Sequence, residues 1–182
     1  ERAIYHTKNR FELSSLNTVI EKGDAENLDF KNESFDIVYS WGVLHHSPNT
    51  QAAIKEVHRV LRPQGEARIM IYHKWSLVGF MLWLRYAFLI LRPWRSLSFV
   101  YANFLESPGT KAYSMSEAKS LFSDFEEVTI NTELGPADLL ESDAGQRHQG
   151  LLLKIAYIIW PRFIIKTFFK SFGLTMLITA KK

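Results

Sequence analysis

Ala3, Ile4, Thr7 and Phe11, with Arg2, Lys8 and Arg10 between them, follow the 3.6-residue helical period. The pattern predicts an amphipathic helix stopped by Ser14, Ser15 and Asn17. Two β-branched and aromatic runs come next, residues 18–20 ending at Gly23 and Asp24, and residues 35–39 entered through the polar turn Asn32, Glu33, Ser34. Helical spacing returns in Ala52, Ala53, Ile54, Val57, Val60 and Leu61, with Asn49 or Thr50 as cap and Arg62 to Gly65 as stop. Residues 67–72 are again strand-like. Helix, strand, strand, helix, strand with short turns predicts an α/β fold, a mostly parallel sheet covered by helices and joined by right-handed crossovers.

The pattern then changes. Residues 77–91 are nearly all apolar, interrupted by Arg85, and residues 151–172 are apolar with Lys154, Arg162, Lys166 and Lys170 spaced along them. Both stretches are too short or too charged for transmembrane helices, and Pro161 is expected to break or kink the second. Between them Ser114 or Ser116 starts a short helix through Leu121, residues 128–132 read as a strand, and residues 174–180 as the last one. The chain reads as one domain in three stretches. Residues 1–75 form a core, 76–113 a helical insertion or lid, and 114–182 a closing helix, an antiparallel strand pair and a second helical insertion.

With 182 residues, 47% of them hydrophobic, the chain can bury a sizeable core, which excludes a disordered protein. The absence of cysteine excludes a disulfide scaffold and a thiolate metal site, and suits a protein that is cytoplasmic or peripheral at a membrane. A formal charge of +3 is too slight to point to nucleic acid. The chain opens on Glu1 with no signal-like start and reads as a fragment or a processed form. In α/β sheets ligands bind at the carboxyl ends of the strands, which draws attention to residues 24–27, 40–46 and 72–75.

Those segments carry a family likeness. "EKGDAENLDF", "SFDIVYSWGVLHHSPN" and "AIKEVHRVLRPQGEARIMIYH" resemble the second half of a small-molecule class I S-adenosylmethionine-dependent methyltransferase, over roughly residues 1–75. The resemblance implies a Rossmann-like sheet with S-adenosylmethionine as cofactor. It implies that the Asp24 carboxylate accepts from the adenine amine, that the Ala25 amide donates to the ring, and that Ser40, Trp41 and Gly42 pass the methionine moiety. Two bland alternatives stand beside it: Asp24 as a turn residue bonding its own backbone, and Trp41 as a core aromatic under the next helix.

Methyl transfer needs alignment and, for a protonated acceptor, a base. His45 or His46 is the first candidate and His73 the second, with Tyr72 as an orienting hydroxyl; the alternative is one histidine capping a helix and the other packing on it. Paired histidines hold zinc only with a third ligand, and the sequence offers neither cysteine nor a His-x-x-x-His companion, so no metal is expected. The polar run from Glu141 to His148 reads as a substrate lid or a solvated turn.

The resemblance also implies pieces that this sequence lacks: a strand, a Gly-rich loop opening a helix, and a second strand ending in an acidic residue for the ribose. Those two strands would lie between residues 18–20 and 35–39, so the expectation is an incomplete or distorted sheet with weak cofactor binding, if any. The apolar stretches suit a small or lipid-like acceptor under a greasy lid. The alternative is a non-catalytic membrane-surface module using Arg92, Trp94, Arg95, Trp160, Arg162 and Lys166, and the blandest reading is two buried helices capping the sheet. Neither the acceptor, nor the methylated atom, nor the oligomeric state is legible.

Overall fold

The computed structural model describes residues 2–141 and 151–182, the last stretch with side chains from residue 154 onward. Its sheet has four strands, β1 (Phe35–Trp41), β2 (Leu61–Tyr72), β3 (Glu127–Glu133) and β4 (Thr175–Lys181), in the order β1-β2-β4-β3. β1 and β2 are parallel, while β4 runs antiparallel to both β2 and β3. The sheet is therefore mixed: β1 and β2 supply its parallel part, and the two C-terminal strands close it as an antiparallel pair.

Around it the helices fall in chain order. α1 (Arg2–Leu13) leads, and α2 (Thr50–Val60) links β1 to β2. α3 (Leu77–Trp83) and α4 (Leu97–Val100) form a hairpin, each continued by one π-helical turn; α5 (Met115–Leu121) precedes β3, and α6 (Leu151–Ile159) and α7 (Arg162–Phe168) precede β4. Asn49 caps α2 by accepting from the Ala52 amide. Ser114 caps α5, with Glu117 closing a capping box. Pro161 separates α6 from α7 as expected. No described helix is long and apolar enough to cross a membrane.

Residues 18–20 form no strand. Val19 is 84% exposed, and a three-residue run stays extended only where a neighbour satisfies its backbone. α1 forms where the period predicts it but buries none of its residues.

The main core lies on one face of the sheet. Ala53, Ile54 and Val57 of α2, with Ala118, Phe122 and Phe125, pack on Ala67, Ile69 and Ile71 of β2 and Met176, Ile178 and Ala180 of β4. On the opposite face β1, an edge strand, leaves Ile37, Tyr39 and Trp41 more than half exposed.

A second, smaller core holds the hairpin: Val78, Leu82, Val100, Tyr101 and Leu174. The Tyr101 hydroxyl sits 2.8 Å from Ser76 Oγ and reaches the carbonyl oxygens of His73 and Lys74 at 3.1 and 3.2 Å. Gly79 makes room for it, since a Cβ there would stand 2.2 Å from that hydroxyl. The hairpin is thereby fixed to the end of β2. Its buried side answers to the reading of helices capping the sheet, but Phe88, Leu91 and Trp94 at its tip are open to solvent.

Candidate functional site

Past Trp41 the chain turns through Gly42, whose φ of +71° is a conformation that L side chains rarely adopt, and whose amide bonds the Met70 carbonyl at 3.2 Å. It then makes a single 3₁₀ turn, Leu44–His46. Leu44 goes into the core, and this anchors the two histidines over the end of β2. The His45 ring lies 4.1 Å from that of Tyr72 and 4.3 Å from that of His46.

His45 is fully buried and neither of its ring nitrogens has a hydrogen-bond partner. Burial, helped by the neighbouring His46, pushes its pKa down to about 3. It is a neutral ring with two unused polar atoms. Ser40 Oγ, at the end of β1, is a third buried polar atom without a partner. Orphaned buried groups are rare, and these lie where a parallel strand delivers its ligand contacts.

His46 is differently placed. Its Nε2 stands 3.4 Å from Glu106 Oε2, and its Nδ1 lies 3.2 Å from Ser107 Oγ and 3.3 Å from Thr110 Oγ1. Tyr72 donates its hydroxyl to Glu106 Oε1 at 2.8 Å; burial first, then the carboxylate, raises its pKa, so the phenol stays protonated. Glu106 thus holds both Tyr72 and His46. No sequence signal near the histidines pointed to it, because it arrives from the far end of the α3–α4 hairpin.

The Asp24 loop is tied to this turn from the other side. Glu26 Oε1 accepts from Ser47 Oγ at 2.5 Å and from the Asn49 amide at 2.7 Å, bonds that keep its carboxyl below the usual range. Lys111 Nζ reaches the Ser47 and Pro48 carbonyls at 2.8 and 2.6 Å. Further along, Arg59 pairs with Glu56 and grips the Leu28 and Phe30 carbonyls and Asn32 at 2.7–2.9 Å, while Glu56 accepts from the Leu28 amide. These residues position the loop and were legible in the sequence only as polar positions of a helix or turn.

Asp24 itself is exposed. Its Oδ1 accepts from the Glu26 amide at 2.9 Å, so the turn reading is realised for one oxygen while the other remains free. Ala25 packs against the main core. Trp41 is 54% exposed and stacks on Tyr39, which removes the core-aromatic alternative. His73 is not brought to the cluster: successive strand residues face opposite ways, and its Nδ1 lies 3.2 Å from the Gly173 carbonyl. Among the described residues His45, His46 and Glu106 bring ligand atoms within 4.8 Å of one another, so the third group missing from the sequence argument against a metal does exist in space. The run from Glu141 to His148 lies outside the described residues except for Glu141, which pairs with Lys166 at 2.7 Å.

The comparisons agree with this architecture. Residues 1–69 match the family model described as a methyltransferase domain. A 58-residue stretch is 47% identical to the phthiotriol/phenolphthiotriol dimycocerosates methyltransferase of Mycobacterium tuberculosis, covering 32% of this chain and 21% of that protein. A 65-residue stretch is 37% identical to the sterol 24-C-methyltransferase of Clavispora lusitaniae, covering 36% and 17%. The matched stretch thus spans about a fifth of the length of these curated relatives.

Over the whole chain the fold superposes on a methyltransferase from Bacillus halodurans with a TM-score of 0.60 at 17% identity, covering 79% of that chain. A second from Thermotoga maritima gives 0.55 at 20%, covering 91% of this chain and 64% of that one. Residues 1–69 thus resemble a methyltransferase domain, and the whole chain has the fold of S-adenosylmethionine-dependent methyltransferases.

Proposed function

We propose that this chain takes part in methyl transfer from S-adenosylmethionine to a lipid-like acceptor whose attacking atom carries a proton. The observation that carries the reading is the Glu106–His46 pair, set beside Tyr72 past the ends of the two parallel strands. S-adenosylmethionine supplies an electrophilic methyl group. The residues fit it in kind: a free carboxylate oxygen on Asp24 for the adenine amine, an unpartnered Ser40 hydroxyl, and a glycine turn at Gly42 that admits close approach.

His46 then acts as the base. With Nε2–H turned to the Glu106 carboxylate, Nδ1 is the accepting nitrogen, and the Ser107 hydroxyl beside it marks where a hydroxyl can sit. An acceptor hydroxyl in that place would give its proton to Nδ1 as its oxygen took the methyl group, with the methyl–sulfur bond breaking and its electron pair staying on sulfur, so that the cofactor would leave as the neutral thioether. His45, neutral and buried, backs the Tyr72 ring and shields the site from water. His73 has no part in this reading. A lipid-like acceptor is favoured because two relatives are named for dimycocerosate and sterol substrates, and because Glu106 arrives on an apolar hairpin.

Calorimetric titration of S-adenosylmethionine, followed by label transfer from its methyl group to a long-chain alkylphenol, tests the reading. Both are run on this chain and with whatever the gene encodes ahead of Glu1. Binding with label transfer that Glu106→Gln suppresses supports it. Absence of heat and of label in both forms overturns it.

A further inference from the structure

The overall charge of +3 conceals an uneven distribution. Residues 77–105 and 151–182 contain no aspartate or glutamate, while Arg85, Arg92 and Arg95 fall in the first and Lys154, Arg162, Lys166, Lys170, Lys181 and Lys182 in the second. These are the two apolar segments, and the fold brings them together. Trp75, Phe80 and Trp83 on one side and Trp160, Ile164 and Phe169 on the other line a groove of about 870 Å³, with Arg95 at its edge.

The groove is joined to the candidate site. It begins at Lys74, two residues beyond Tyr72, and the hairpin that walls it ends by delivering Glu106. The Tyr101 hydroxyl, within reach of the His73 and Lys74 carbonyls, fixes wall and strand end to each other.

The surfaces flanking the groove do not resemble a solvated helix face. Leu91 and Trp94 at the hairpin tip are 82% and 77% exposed, and Ile158, Phe163 and Phe168 of the second segment are 83%, 80% and 73% exposed. Arg92 and Lys170 are exposed beside them. Solvated helices seldom combine large apolar side chains in the open with cations and no acidic residue, whereas elements lying in a bilayer interface do. A protein partner would be met by charges of both signs. An anionic lipid surface asks for the cationic excess found here, where Glu141 is the acid bonded to Lys166, with tryptophan at headgroup level.

We propose that this face docks on an anionic bilayer and that the groove takes the alkyl chain of a membrane lipid drawn from it. The hairpin tip and the α6–α7 ridge enter the interface through Leu91, Trp94, Ile158, Phe163 and Phe168. Arg92 and Lys170 meet the headgroups. The groove then opens toward the acyl region, and a chain lying in it points its polar end toward Tyr72 and Glu106. Docking does not depend on the proposed methyl transfer, so the two stand or fall separately.

Flotation with phosphatidylcholine vesicles, with and without phosphatidylglycerol, tests it in the absence of cofactor. The chain is expected to float with the phosphatidylglycerol vesicles, to be released by added salt, and to show tryptophan quenching when the acyl chains are brominated. Phe163→Glu with Phe168→Glu, at positions already in solvent, is expected to lower partitioning at least tenfold with an unchanged circular dichroism spectrum. Arg92→Glu with Lys170→Glu is expected to abolish the preference for phosphatidylglycerol. Failure of the parent chain to float, or equal flotation of the parent and both double variants, overturns the proposal, as does flotation without acyl-chain quenching for the groove.

Discussion

His46 Nε2 and Glu106 Oε2 lie 3.4 Å apart although the whole α3–α4 hairpin separates them in the chain. The contact depends on Gly79 admitting Tyr101 and on Tyr101 gripping the end of β2. A carboxylate facing Nε2 favours the tautomer with its proton there, which would leave Nδ1 as the accepting nitrogen of the proposed base.

Glu106→Gln keeps the shape but loses the charge facing His46 Nε2, and His46→Asn removes the proposed base. General-base catalysis contributes on the order of 10²–10⁴ in rate. His46→Asn is expected to lower kcat by about a hundredfold or more and Glu106→Gln by about tenfold, with S-adenosylmethionine affinity unchanged in both. Tyr72→Phe is expected to have only a several-fold effect. A kcat for Glu106→Gln equal to the parent's would remove the pair from the mechanism.

His45 makes acid sensitivity testable. An unfolded chain protonates this imidazole below about 6.5, while the folded state keeps it neutral down to about 3. Across that window the unfolded state binds more protons, so folding stability is complete above 6.5 and falls as the pH drops toward 3. At about 1.4 kcal/mol per pH unit the loss approaches about 5 kcal/mol when titration is complete. His45→Phe keeps a ring against Tyr72 without titrating and is expected to flatten this part of the Tm–pH curve. An equally steep acid limb in the variant counts against the burial assignment.

Arg59 and Glu56 hold the loop that carries Asp24, and the sequence showed them only as a polar flank of α2. Arg59→Met removes the guanidinium bonds to the Leu28 and Phe30 carbonyls, Asn32 and Glu56, while the Phe30 amide still reaches the Leu28 carbonyl and the Leu28 amide still reaches Glu56. Lost hydrogen bonds to a charged group are expected to lower Tm. Thermal unfolding reads it, and a Tm within error of the parent's would show that water replaces the guanidinium at no cost. Their role was hidden because a helix pattern records which positions avoid the core, not which loop lies across them.

Asp24 is separable from its turn. Asp24→Asn retains an oxygen for the Glu26 amide and loses the charge, whereas Asp24→Ala loses both. If the free carboxylate oxygen meets the adenine amine, both variants weaken S-adenosylmethionine binding severalfold or more, and Asp24→Asn leaves Tm unchanged. Should Asp24→Asn bind as the parent does while Asp24→Ala does not, the residue serves the turn alone.

Period and punctuation marked α1, α2, α5 and the four strands, although β2 begins at Leu61, inside the residues read as the end and stop of α2; the apolar spacing and caps are local facts: Asn49 before α2, Ser114 with Glu117 on α5, and Pro161 between α6 and α7. The strand-end motifs likewise marked His45 and His46 after β1 and Tyr72 at the end of β2. Residues 18–20 show where local preference ends, since a β-branched triplet becomes a strand only beside a neighbour that takes its hydrogen bonds. Tertiary structure decided the rest. It turned His73 away to Gly173, left Trp41 in the open, carried Glu106 to His46, and set two acid-free apolar segments around one groove. Each of these is a meeting of residues far apart in the chain, and spacing along a sequence holds no information about such meetings until packing closes them.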